Sequence, residues 1–142
     1  MRASILAAAS LLALSACTAV PDSVTGGPEK PSDKPTARVI PETVQGRWGL
    51  VPADCEPGRS DAKGLLLIGA TQLRFYESTG TLGKIEERDA SRIRAAFEFS
   101  GEGMTWRRDA ILDVQDGGQT LIRREYGQGA APGQFRYCRC PA

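Results

Sequence analysis

Histidine is absent from this 142-residue chain. That removes at one stroke the usual neutral-pH general base, the commonest metal ligand and the usual pH switch. Net charge is nearly absent as well, with 18 Lys and Arg against 17 Asp and Glu, or +1 at pH 7. Residues 45–142 keep the same balance, 14 against 13, so no nucleic-acid partner is expected. The sequence has no phosphate loop, no dinucleotide fingerprint and no serine-hydrolase elbow. Glu86-Glu87 is a carboxylate pair, but neighbours on a strand point to opposite faces and cannot converge on one bond. The expectation is that the chain is not an enzyme. A run of about 20 apolar residues, long enough for a bilayer-spanning helix, is also missing.

A shorter apolar run is present, and its flanks are informative. Met1-Arg2 supplies a positive start, Ile5 to Leu14 is apolar apart from one Ser, and Leu14-Ser15-Ala16-Cys17 closes it. This is the layout of a signal peptide, expected over residues 1–16. Leu14-Ser15-Ala16-Cys17 resembles the bacterial lipobox. The resemblance covers residues 1–17 and implies cleavage before Cys17 and a diacylglyceryl group on its thiol. No cofactor is expected other than this covalent lipid. Two or three acyl chains suffice for stable anchoring, where one chain binds only marginally. The alternative is ordinary secretion with Cys17 beyond the cleavage site. Lipoprotein sorting implies a retention Asp after the anchor for the inner membrane. Thr18 stands there instead, so the expected address is the outer membrane, with the domain in the periplasm.

Residues 17–43 read as the lipidated Cys followed by a linker. Pro21, Pro28, Pro31, Pro35 and Pro41, Gly26-Gly27 and scattered charges leave almost no apolar periodicity. From residue 44 to 142 the pattern changes to short runs rich in β-branched and aromatic residues. The clearest is Arg92 to Phe99, with Ile93, Ala95, Phe97 and Phe99 on one face and Arg92, Arg94 and Glu98 on the other. Further strands are expected at 45–51, 65–68, 72–78, 82–87, 104–114, 120–126 and 134–139. Turn signals fall at Ser78-Thr79-Gly80, Asp89-Ala90-Ser91, Gly101-Glu102-Gly103, Asp116-Gly117-Gly118 and 127–133. About eight short antiparallel strands in some 98 residues point to a small all-β, up-and-down barrel, because closure removes exposed edges. A β-sandwich is the alternative.

With Cys17 lipidated, Cys55, Cys138 and Cys140 remain. An oxidising compartment favours one disulfide, either Cys55 with Cys140 or Cys55 with Cys138. The three thiols lack a fourth Cys or His ligand, so no metal site is expected. A binding patch for an anionic envelope component is conceivable from Trp48, Trp106 and the pairs Arg107-Arg108 and Arg123-Arg124. The competing reading is core packing for the tryptophans, with Glu86, Glu87, Asp109, Asp113 and Glu125 neutralising the arginines across strands.

Three functions compete. The first is a non-catalytic binding or inhibitory domain on a lipid tether. Gly46, Trp48 and Cys55 resemble the opening Gly-x-Trp strand and following Cys of the metalloprotease-inhibitor-type barrels of envelope lipoproteins. That resemblance implies an inhibitor-like fold, although the bridge in that family is local and Cys55 here would pair with the far end of the domain. The second is a structural or assembly accessory that binds an envelope protein or a cell-wall component. The third is a carrier of a small ligand, for which the interior of so small a barrel looks cramped.

Overall fold

The computed structural model describes residues 38–142. The signal peptide, Cys17 and most of the linker lie outside the described residues. The described chain forms eight strands in a closed antiparallel barrel in which every strand pairs with its sequence neighbours and β1 meets β8. The strands are β1 Gly46–Gly49, β2 Leu65–Ile68, β3 Gln72–Arg74, β4 Thr79–Arg88, β5 Arg92–Gly101, β6 Met104–Gln115, β7 Thr120–Tyr126 and β8 Gln134–Arg139. The up-and-down barrel is therefore the architecture, and the sandwich is set aside.

The period-two pattern of β5 holds: Ile93, Ala95, Phe97 and Phe99 are buried while Arg94 and Glu98 are exposed. They join Leu66, Leu73, Leu112 and Leu121 from other strands in one core. Burying each such side chain stabilises the fold by about 1.5–3 kcal/mol. Between β5 and β6, Glu102 and Gly103 both take positive φ, 50° and 76°. Gly101 pairs with Met104 across them. This two-residue turn twists with the strands it joins, and a glycine tolerates it at no steric cost.

Two boundaries differ from expectation. The turn expected at Ser78-Thr79-Gly80 lies at Phe75–Ser78, where the Phe75 N–H donates to the Ser78 carbonyl over 2.8 Å. Gly80 is inside β4 opposite Phe99. An ideal Cβ on Gly80 would come within 2.7 Å of the Phe99 ring, so this glycine makes room for an aromatic and does not mark a turn. The folded body also begins upstream of the expected boundary at 44. Ile40 and Val44 are both 0 % exposed. The Ile40 N–H donates to Ala70 O (2.8 Å) and Arg88 Nε to Val39 O (2.9 Å). Residues 38–45 thus cross one end of the barrel and close it.

Cys55 is bonded to Cys140, 85 residues away, and Cys138 is free and exposed. The 3-10 turn Pro52–Cys55 folds back beside β1. An ideal Cβ on Gly49 would lie 2.8 Å from Cys55 Sγ. Since Trp48 faces inward, its neighbour Gly49 faces outward, and the bridge crosses the outer wall where β1 has no side chain. Buried Asp54 fastens the same loop, accepting the N–H groups of Val51 (3.0 Å) and Gly64 (3.2 Å).

Candidate functional site

Strand register sorts the two ends of the barrel. Residues 40–46, 69–70, 89–91, 116–119 and 139 meet at the closed end, whereas 75–78, 99–106, 123–125 and 135 meet at the other. Alternation along β6 turns Trp106 and Arg108 inward in phase with Ala110 and Leu112. On β7 it turns Arg123 and Glu125 inward in phase with Leu121. Here the inward-facing row changes from apolar to charged, and the barrel opens into a pocket of about 410 Å³. Lys63 and the Phe75–Ser78 turn complete its wall.

Aromatic rings and one buried cation define this mouth. Trp106 stacks on Phe99 with centroids 5.5 Å apart and planes 8° from parallel, and Phe75 lies 6.0 Å from Phe99. Arg123 is only 8 % exposed. The centre of its guanidinium lies 4.3 Å from the Phe135 ring, 4.9 Å from Phe75 and 5.8 Å from Tyr137. Such contacts are worth about 2 kcal/mol or more when desolvated. Nη1 of Arg123 donates to Oε1 of Glu125, itself mostly buried. Nε–H of Arg123 is buried and finds no acceptor among the described residues. Burial pushes the Tyr137 phenol up from its ordinary value near 10.0, and the nearby Arg123 guanidinium, by its charge and by its donors close to the phenol oxygen, pulls it back in part. Arg108 spans the rim, donating to Arg107 O (3.0 Å) and Gly129 O (2.8 Å).

The six-residue patch expected from sequence does not form as a unit. Trp48 is fully buried in the core, with its indole N–H donated to Val44 O over 2.9 Å. Arg107 and Arg108 are strand neighbours, as are Arg123 and Arg124, so one member of each pair points out. Arg107 lies on the outer wall opposite Glu98, 3.9 Å away, and Arg124 donates to Gln134 Oε1 (2.7 Å). Only Trp106, Arg108 and Arg123 converge. Of the carboxylates named as neutralising partners, Glu125 takes Arg123, whereas Glu87 and Asp113 face Arg92 on the outside. Sequence reasoning missed Lys63, Phe75, Tyr76 and Phe135. A usable signal existed in Leu121-x-Arg123-x-Glu125, where charge falls in phase with an inward apolar position.

Among the described residues, no group of three or more His, Cys, Asp or Glu side chains stands close enough to hold a metal ion. No described helix is long and apolar enough to cross a membrane. Compared with known proteins, the chain matches no family model, no curated sequence and no solved structure.

Proposed function

We propose that this chain is an envelope lipoprotein, anchored through Cys17 at the outer membrane, whose barrel is a non-catalytic binding domain that takes its ligand in the open mouth. The observation that carries the mouth reading is Arg123, a buried cation with an unanswered donor beside a pocket of about 410 Å³. A buried charge is costly unless paired and hydrogen-bonded, and the volume falls in the range of about 300–1,000 Å³ typical of small-ligand sites. The described chain enters at the closed end, where Val39 and Ile40 are hydrogen-bonded to Arg88 and Ala70. The lipobox-like Leu14-Ser15-Ala16-Cys17 supports the anchor.

The test is purification of the anchored protein from native membranes, in parallel with an Arg108→Glu variant, followed by mass spectrometry of the intact assembly. Acylated Cys17 with a bound molecule present in the first sample and missing from the second is expected. Equal retention in both samples would move the binding surface away from the mouth. A Cys17 without lipid would overturn the anchor.

A further inference from the structure

We propose that the mouth takes a monocarboxylate attached to a flat apolar body, with Arg123 receiving the carboxylate and Arg108 supplying a second cation. This rests on the reading of the mouth as the binding site and names its ligand class.

The first support is the geometry of Arg123. Three rings hold its guanidinium, and Glu125 takes only Nη1. A guanidinium carries five donors in a rigid fork that matches a carboxylate through two parallel bonds. Nε–H is buried without an acceptor among the described residues and Arg123 lines the pocket, so a carboxylate that enters from the pocket and reaches Nε–H would satisfy a donor whose desolvation the fold has already met. Glu125 shows that the site tolerates a carboxylate against this cation, since it is one.

The second support is charge. Lys63, Arg108 and Arg123 face Glu77 and Glu125, three cations against two carboxylates, leaving +1. One monocarboxylate neutralises the mouth, while a phosphate dianion would leave it negative. The third is the wall. Trp106 is half-buried, lies stacked on Phe99 and lines the same pocket as Phe75 and Tyr76, a surface suited to a planar or apolar ligand body. A small aromatic acid and the free carboxyl end of a peptide share this chemistry.

The test titrates the full-length lipidated chain, held in detergent, with 3-phenylpropanoate, 3-phenylpropanamide, and N-acetyl-glycyl-phenylalanine with a free or amidated carboxyl. Tryptophan emission reports the mouth, because Trp106 lines it while Trp48 is fully buried. Each acid is expected to bind at least tenfold more tightly than its amide, and the tighter acid tells small molecule from chain end. Arg123→Met should abolish the preference and Arg108→Gln, a change at the half-buried rim, should weaken it several-fold. Glu125→Gln should strengthen acid binding several-fold by removing a like charge, a gain that a purely structural Glu125 would not give. Acid and amide binding equally well would overturn the carboxylate while leaving a mouth ligand in place. Neither acid binding at millimolar concentration would overturn the carboxylate too, and the membrane purification would then judge the mouth separately.

Discussion

At each end of the barrel an arginine lies against aromatic rings, and the two differ in what answers their donors. At the closed end Arg139 stacks 4.0 Å from Trp48 and donates to the carbonyls of Gly118 (2.5 Å), Gln45 (3.1 Å) and Thr43 (2.6 Å). All three nitrogens are used, and they tie the β6–β7 turn, β8 and the crossing segment together. Burial lowers its pKa from the ordinary arginine value, with the charge retained. At the open end Arg123 is more deeply buried, has one carboxylate partner and keeps a donor unanswered. The same residue type is a fastener where the fold supplies every acceptor. Where it does not, the arginine keeps a buried donor with no acceptor among the described residues.

The comparison can be broken by separating stability from binding. The largest stability loss is expected at neither end but at the wall. Opening Cys55–Cys140, with its separation of 85 residues, should cost about 4.5 kcal/mol in the chain-entropy model. Urea melts of Cys55→Ser will read this, and ligand binding by the folded fraction should persist. In Cys140→Ser, Cys138 faces the same outer wall opposite Gly49 and should take over Cys55, which peptide mapping without reductant would detect. A single unpaired Cys55 would contradict this.

Ile40→Ala should cost about 3 kcal/mol by leaving a cavity in the closed end. A loss near zero would return residues 38–43 to the linker. Arg139→Met should cost about 2 kcal/mol, because three carbonyls lose their donor. Arg123→Met alone leaves the mostly buried Glu125 without its partner and should cost about 3 kcal/mol, whereas Arg123→Met with Glu125→Met, which replaces the whole pair by apolar side chains, should change stability by no more than about 1 kcal/mol in either direction. Finding the paired Arg123→Met, Glu125→Met replacement more damaging than Arg139→Met would reverse the assignment of fastener and binding group.

The smallest effect concerns pH. The Tyr137 pKa is raised in the folded state, so its contribution is fully present below about pH 10, the unfolded value, and is lost as pH rises through the folded value. Thermal melts between pH 9 and 11.5 should therefore decline more steeply for the native chain than for Tyr137→Phe.

How far the sequence reaches differs between wall and ends. The barrel was legible because period-two alternation, as in Ile93-x-Ala95-x-Phe97-x-Phe99, and turn residues such as Glu102-Gly103 are local properties of the chain. The pairing of Cys55 was narrowed to Cys138 or Cys140. Both lie on one strand face, however, and only the path of the loop over Gly49 chooses between them. The patch was half legible. Adjacent arginines had to split by alternation, but Lys63, Phe75 and Phe135 belong to strands and turns distant in sequence.

The sequence by itself determined eight alternating strands, the oxidisable cysteines and the lipobox-like start, because each depends on residue type at fixed short spacing. Only the tertiary structure decided which arginine is fully answered and which is not. Closing the barrel carries Thr43, Gln45 and Gly118 to Arg139, but brings Arg123 aromatic faces and a single carboxylate. Hydrogen bonds reach about 3 Å, so a donor's partners are fixed by closure in space, which no stretch of neighbouring residues encodes.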